Sequence, residues 1–491
     1  MPTNATASIT TAFAARKAPI KGASHTRDGT PAPAFGFLLF GGALAGAQVS
    51  HIRLANELAR RGYRVHVWWT MDRPHQSPLD PAISESWLFS AGRFSGLFSN
   101  AALDDLIGRC VCRMTPDAMR HRLLQQNPAF FNWILRGLIR GVCLGVGDDR
   151  ALIRRFAAEV TQRGVTHILP TLECLAPFVA AVRPHVPYRL RYLVTFQGYE
   201  LMATFARQIG QESVFYQRLV EAVDESDCRA ITVSAAYGDR IRSEVGLSAQ
   251  ALVIIPPGVP TADRLSGDTA LELVQKAFPD FRPEAPLISF VGRRDAEKGL
   301  DLLLYAARIL KARGIDLQLA ICGPTAFGTQ YVEACKQIAW NLRIPVLWKD
   351  YVSDEIRSAL FRTSRTVVYP SIHEEPFGMV PIESMVQGTP VVVPDTGGVA
   401  ELIRFGDLQA GLHFQSWDSG DLAEQIERML SDSRLHAQLA ADGPGVAENF
   451  SIERHGERIL DHLDLPHWFA DRHVGRTPAT NEMLTVAHRA A

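Results

Sequence analysis

Short apolar runs alternate with helix-period segments along most of this chain, in two series separated by a proline-rich break. The first series has strand candidates at 36–40, 65–69, 167–169, 193–196, 230–233 and 253–255. Between the first two, Val49, Ile52, Ala55 and Leu58 recur every three residues, a helix that Gly62 stops. Pro256, Pro257, Gly258, Val259 and Pro260 break the rhythm, and a polar, proline-containing stretch continues to Pro286. The second series places strands at 288–291, 317–321, 346–348, 366–369 and 391–393. Apolar runs separated by helices in this way require a parallel sheet covered on both faces. A chain of 491 residues can build two such sheets, each with its own core. The expected fold class is therefore α/β, two Rossmann-like doubly wound domains facing across a cleft, with ligands beyond the carboxyl ends of the strands.

This pattern divides the chain into a disordered leader at 1–33, an N-terminal domain at 34–260, a linker at 261–286, a C-terminal domain at 287–465 and a tail at 466–491. Arg16, Lys17, Lys21 and Arg27 ahead of an apolar run imitate a secretory signal, but Gly36, Gly41, Gly42 and Gly46 interrupt that run, and cleavage would remove the first strand. Elsewhere no uncharged run reaches the roughly 18 residues of a spanning helix. The segment 71–150 is read as an insertion. Its aromatics (Trp87, Phe89, Phe94, Phe98, Phe130, Phe131, Trp133) are interleaved with Arg120, Arg122, Arg136 and Arg140. Three readings stand: helices packed on the domain with arginines reaching solvent, a cover over an acceptor site, or a basic amphipathic patch in peripheral contact with the inner face of a membrane.

A net charge of −1 supplies no global field for nucleic acid. The seven cysteines are scattered, without C-x-x-C or histidine pairs of zinc spacing. That is the pattern of reduced, buried thiols in a cytoplasmic protein.

Two stretches carry chemistry. After the strand at 288–291 come Gly292, Arg293, Arg294, Asp295, Ala296, Glu297, Lys298 and Gly299. A strand running into a glycine turn with two spaced cations suits a diphosphate, because backbone can approach it while Arg and Lys neutralise it. After the strand at 366–369 come Glu375, Pro376, Phe377, Gly378, Met379, Val380, Pro381, Ile382 and Glu383. Here a loop becomes a helix, so the N–H groups of Gly378, Met379 and Val380 are free for a phosphate or a sugar hydroxyl. Glu375 would lie nearer a sugar and Glu383 nearer a ribose diol. Either glutamate alone is explained by the helix dipole; beside the cationic loop, the pair points to nucleotide-sugar chemistry.

The C-terminal half resembles the retaining, nucleotide-sugar-dependent glycosyltransferases of family 4, the glycosyl transferases group 1, which have the GT-B fold. The resemblance rests on Gly292, Arg293, Lys298 and Gly299; on Pro370, Ser371, Glu375, Pro376, Phe377, Gly378 and Glu383; on Gly388, Thr389, Pro390, Val391 and Val392; and on Gly397, Gly398, Glu401, Leu402 and Ile403. In the N-terminal half, Gly46 in the loop that opens the first helix looks like the family's acceptor-side glycine loop, and the turn from Ile255 to Val259 resembles its interdomain turn. The resemblance implies that Arg293 and Lys298 hold the donor diphosphate, that Glu375 contacts the transferred sugar, and that Phe377, Gly378, Met379, Val380 and Glu383 bind the rest of the donor. It implies transfer of a hexosyl unit with retention, a nucleotide sugar as co-substrate (a UDP-hexose first), an acceptor of unassigned identity, no further cofactor and no bound metal. Gly46, Gln197 and Glu200 fall on the acceptor side. Many members carry a histidine where this chain has Gln197, which can orient a hydroxyl but cannot shuttle a proton near neutral pH. His373, beside Glu374, reads as an ordinary loop histidine. Two other classes compete: a GT-B epimerase or phosphorylase, which needs carboxylate, histidine or lysine sets not evident here, and a non-catalytic scaffold, which would be expected to lose Arg293, Lys298 or Glu375.

Overall fold

The computed structural model describes residues 32–39, 46–70, 78–87, 150–208, 210–261, 264–325 and 328–468. The leader before residue 32, the tail after 468, the arginine and phenylalanine clusters of the expected insertion and three of the seven cysteines lie outside the described residues. Among the described residues no helix is long and apolar enough to cross a membrane.

In the first domain, β1 (Ala34–Leu39) pairs in parallel with β2 (Arg64–Trp69) on one side and β4 (His167–Pro170) on the other. β3 (Ser84–Trp87) forms the edge beside β2. Beyond β4, one extended segment serves two neighbours. Its first part, β5 (Arg191–Tyr192), pairs with β4, and Leu193 N–H donates to the Ile168 carbonyl at 2.9 Å. Its second part, β6 (Thr195–Phe196), pairs with β7 (Ala230–Thr232), with Val194 O accepting from Ile231 N–H at 2.8 Å. β8 (Leu252–Ile254) completes the sheet. The order is thus 3-2-1-4-5/6-7-8, all parallel. The second domain repeats it: β9 (Leu287–Val291), β10 (Gln318–Cys322), β11 (Val346–Lys349), β12 (Thr366–Val368), β13 (Val391–Pro394) and, after a short β14–β15 hairpin (Arg404–Phe405, Leu408–Gln409), β16 (Gly411–Phe414), in the order 11-10-9-12-13-16. This is the doubly wound order in which ligands bind beyond the strands' carboxyl ends. Both central strands, β1 and β9, are buried along their whole length. Each fully buried Phe or Leu there contributes about 1.5–3 kcal/mol.

Three expectations need correction. The segment 71–150 is not wholly an insertion, since 84–87 is the edge strand β3; with one apolar residue in four it lacked a buried-strand signature. The stretch 261–286 is not merely a linker. Ser266 accepts from Thr269 N–H to start the helix Gly267–Ala277, which buries Ala270 and Val274 and packs on the helix Asp354–Thr363. The last helix, Ile452–His462, follows the second domain in sequence but joins the core of the first, where Ile459, Leu460 and Leu463 pack with Phe35, Leu54 and Leu58. Buried Arg61 fastens it there: its Nε donates to Glu57 Oε1 at 2.5 Å and its NH2 to the Glu453 carbonyl at 2.9 Å. The chain crosses between domains twice side by side, with Val259 N–H donating to Phe450 O and Ile452 N–H to Val259 O, both at 2.9 Å.

Candidate active site

Two turns at the carboxyl ends of β9 and β12 lean on each other. β9 leads through Arg293 and Arg294 into a single 3-10 turn, Ala296–Lys298, closed by Gly299 at φ +62°. A Cβ on Gly299 would collide with the Pro370 carbonyl oxygen, so only glycine lets the turns touch. Ile372 N–H and the Ser371 hydroxyl both donate to the Glu297 carbonyl, at 3.0 and 3.1 Å. Lys298 is thereby carried onto Glu375, and the two form a direct ion pair in the interior.

The contacts of Glu375 are one-sided. Lys298 Nζ, the Tyr369 hydroxyl (2.9 Å), the Ser371 hydroxyl (3.2 Å) and His373 Nε2 (3.4 Å) all converge on Oε1. Among the described residues, every hydrogen bond to this carboxylate falls on that oxygen, none on Oε2. Burial alone would raise the carboxyl, but Lys298, with His373 beside it, outweighs burial and holds Glu375 well below the ordinary carboxylate range. Arg293 sits on the rim, 30% exposed, paired with Asp295 Oδ2 at 2.5 Å and with Glu297. Burial would lower its pKa, and those two carboxylates reverse the shift.

The Pro376–Phe377–Gly378 turn is clamped from both domains. Gly398 N–H donates to the Glu375 carbonyl at 2.7 Å, and the hydroxyl of Ser234, from the first domain, donates to Pro376 O at 2.7 Å. Phe377 turns its ring into the core, edge-on to Phe450 at 5.7 Å, so its side chain is structural. Gly378 starts the helix Met379–Val386, and no side chain caps it. The N–H groups of Gly378, Met379 and Val380 therefore form an open helix N-terminus beside Lys298 and Glu375.

Glu383 lies where three helices meet. Arg53, from the helix Gly46–Arg60 of the first domain, donates to Oε1 at 2.6 Å, and Arg357 Nε stands 3.3 Å from Oε2. Burial raises this carboxyl while Arg357 and Arg53 lower it, with a net downward shift. Unlike Glu375, Glu383 has both oxygens engaged, so a ribose diol must share them with two guanidiniums. Glu401 supplies another bridge between the domains: its carboxylate accepts from Ala235 and Ala236 N–H at 3.0 and 2.6 Å, at the start of the helix Ala235–Val245. The free N–H groups and positive dipole end of that helix favour such a carboxylate.

On the acceptor side, Gly46 lies against the Met379 methyl, with a Cβ there 3.5 Å from it. Gln197 Nε2 is 3.3 Å from His51 Nδ1, which also stands 3.1 Å from the Ala47 carbonyl. Burial pushes the His51 imidazole down to about 4 against the pull of the Ala47 and Pro170 carbonyls, so it is neutral at pH 7. Glu200 does not stand as a free acceptor-facing carboxylate. Its Oε1 is 3.1 Å from Arg240 NH1 and its Oε2 accepts from the Tyr237 hydroxyl at 3.1 Å. Behind Gln197 lies Glu173, at the carboxyl end of β4. It is fully buried, and neither carboxyl oxygen has a hydrogen-bond partner among the described residues. Burial pushes this carboxyl up to about 8, with the charge of Glu200 adding to the shift and nearby N–H groups of Glu173, Cys174 and Gln197 moderating it.

Arg53, Arg357, His51, Ser234 and Glu173 were not among the residues expected from sequence. Arg53 had a signal: it lies seven residues after Gly46, on the same helix face, and both touch Met379. Glu173, a lone glutamate after an apolar strand, had a weaker one. Among the described residues no group of three or more His, Cys, Asp or Glu side chains could hold a metal ion.

Residues 274–445 match the model of the glycosyl transferases group 1 family. D-inositol 3-phosphate glycosyltransferase of Rhodococcus jostii is 30% identical over 261 residues, 52% of this chain and 54% of that protein. The chain thus spans about half the length of the curated relatives it matches. Among solved structures, sucrose-phosphate synthase from Thermosynechococcus elongatus superposes with a TM-score of 0.65 at 17% identity, over 88% of this chain and 98% of that one. HepE of Anabaena, in complex with UDP and glucose, gives 0.63 at 17%, over 88% and 100%. The cationic turn on Glu375, the open helix N-terminus after it and the paired 3-2-1-4 sheets agree with these matches: residues 274–445 form a glycosyl transferases group 1 domain, and the chain has the GT-B fold.

Proposed function

We propose that this protein is a retaining glycosyltransferase that moves a hexosyl unit from a nucleoside-diphosphate sugar to an acceptor hydroxyl on a glycan, a lipid or a small metabolite. The observation that carries the reading is the one-sided anchoring of Glu375. Oε1 is fixed by four groups, which leaves Oε2 to accept from a hydroxyl of the transferred sugar beside Lys298 and the open N–H groups at 378–380. Arg293 and Lys298 hold the diphosphate and stabilise the charge that grows on it as the glycosidic bond breaks, with donors already in place. Glu383 accepts from the ribose. The departing phosphate oxygen takes the acceptor proton on the face of the sugar it leaves, which gives retention. Gln197 orients the acceptor hydroxyl without taking its proton. The two cations fill the role a divalent metal would otherwise have, so activity is expected to survive chelation.

HepE, of the same fold, was solved with UDP and glucose, which puts UDP-glucose first among donors to try. The name of the Rhodococcus relative puts D-inositol 3-phosphate first among acceptors. The test begins with thermal-shift screening of nucleotide sugars, because a ligand that binds only the folded state raises its stability. It continues with transfer and donor hydrolysis by wild type, Glu375→Ala and Lys298→Ala, with and without EDTA, and with the anomeric configuration of the product read by NMR. Unchanged turnover in both variants removes the assigned roles; an inverted product removes the mechanism, and loss of activity on chelation removes the metal-independent reading.

A further inference from the structure

The Gly388-Thr389-Pro390 motif lies away from the active site. It precedes β13, and Ser364 precedes β12, so both sit at the amino ends of strands whose carboxyl ends carry the donor turns. A cavity of about 260 Å³ opens there, lined by Arg264, Arg362, Ser364, Gly388, Thr389 and His436 among others. The sheet itself separates it from the cleft.

What sets the two arginines apart is their shared cavity and the buried, unused N–H of Arg362. Arg53, Arg61, Arg240 and Arg293 each pair with a carboxylate. Among the described residues no ion pair reaches Arg264 or Arg362, and burial together with the positive charge of Arg264 lowers the pKa of Arg362. Arg362 Nε is buried without a hydrogen-bond partner, and NH1 reaches only the Gln387 carbonyl, at 3.3 Å. The guanidinium of Arg264 packs on Gly388, where φ is +76° and a Cβ would collide with it; the glycine makes the room the guanidinium occupies. Two mutually repelling guanidiniums with an unused, buried N–H face one cavity. A tetrahedral oxyanion answers all three features, because it supplies negative charge and accepts from planar N–H forks.

We propose that this cavity, between Arg264 and Arg362 at the amino ends of β12 and β13, is a second anion site that takes a phosphate group, free or carried on a small metabolite. The site is independent of the transferase reading.

Inorganic phosphate is titrated calorimetrically into the full chain as wild type, as Lys298→Ala, and as the Arg264→Ala/Arg362→Ala pair. Lys298→Ala reports on the donor turn, the other place a phosphate can bind. The expected result is one phosphate site that persists in Lys298→Ala and is at least tenfold weaker in the arginine pair. Arg264→Ala alone, at an exposed position, keeps the test open if the double variant fails to fold, and should weaken that site severalfold. A sugar phosphate run in parallel separates the sources: tighter binding than inorganic phosphate indicates a metabolite, and equal binding indicates free phosphate. The proposal is overturned if millimolar phosphate leaves wild type unbound, if Lys298→Ala abolishes all phosphate binding, or if folded arginine variants bind as wild type does.

Discussion

The two halves of the cleft manage buried charge in opposite ways. On the donor side the acids of the two turns are paired with cations: Glu375 has Lys298, Glu383 has Arg53 and Arg357, and Asp295 and Glu297 have Arg293. On the acceptor side, two polar groups are buried uncharged or nearly so: among the described residues the Glu173 carboxyl oxygens have no hydrogen-bond partner, and His51 is held neutral. Paired charge of this kind suits the ligand proposed for the donor half, a diphosphate and its sugar. The acceptor half holds the His51 imidazole neutral beside Gln197, while its charged Glu200 is taken up by Arg240 and Tyr237.

The largest expected effect separates the halves by pH. The folded pKa of Glu173 is raised above its unfolded value, so its contribution to stability is full below the unfolded value of 4.5 and is lost as pH rises through about 8. Glu173→Gln should therefore gain on wild type between pH 5 and pH 9, by about 3–5 kcal/mol at most. Glu375 is depressed, so its contribution is present above its unfolded value and lost in acid, and Glu375→Gln should flatten the acid limb instead. Urea unfolding from about pH 2 to pH 9 reads both. Parallel profiles for the two variants would break the comparison.

Next in size is catalysis. Lys298→Ala should lower transferase turnover roughly 100-fold or more, through loss of a preorganised charge at the leaving group. Gln197→Ala should cost less than about tenfold if it only orients a neutral hydroxyl. Equal losses in the two variants would mean that the acceptor half also handles charge.

Arg53 tests the bridge between the halves. Arg53→Ala leaves Glu383 with Arg357 alone, and KM for the nucleotide sugar should rise about tenfold with little change in kcat. A fall in kcat at constant KM would place Arg53 on the acceptor instead. Smallest is Ser234→Ala, which removes both the N-cap of its helix and the hydrogen bond to Pro376; about 1 kcal/mol of stability should go, read by thermal unfolding.

The donor half was legible because its groups are local in sequence. Gly292 to Lys298 and Glu375 to Glu383 each follow an apolar strand, and the residues singled out in each lie within nine positions of one another. Even there, sequence did not show that Phe377 faces the core, that His373 touches Glu375, or that Glu383 is held by two arginines from different helices. The acceptor half resisted for the opposite reason. Gln197 and Glu200 were singled out by position, but their partners His51, Arg240 and Tyr237 come from other segments, and Glu173 is marked by carboxyl oxygens without a partner among the described residues. The edge strand β3 and the final helix were misplaced on similar grounds: an edge strand needs little apolar signal, and a helix's amphipathic face does not say which domain it covers.

By itself, the sequence determined two parallel α/β domains and the two turns proposed to bind the donor, because strand burial, helix period and turn glycines are properties of short stretches. Tertiary structure decided which oxygen of Glu375 stays unpartnered, which helix returns to the first domain and where Arg264 and Arg362 meet. Those outcomes depend on side chains far apart in the chain whose charges and burial are set only once both sheets have closed on each other.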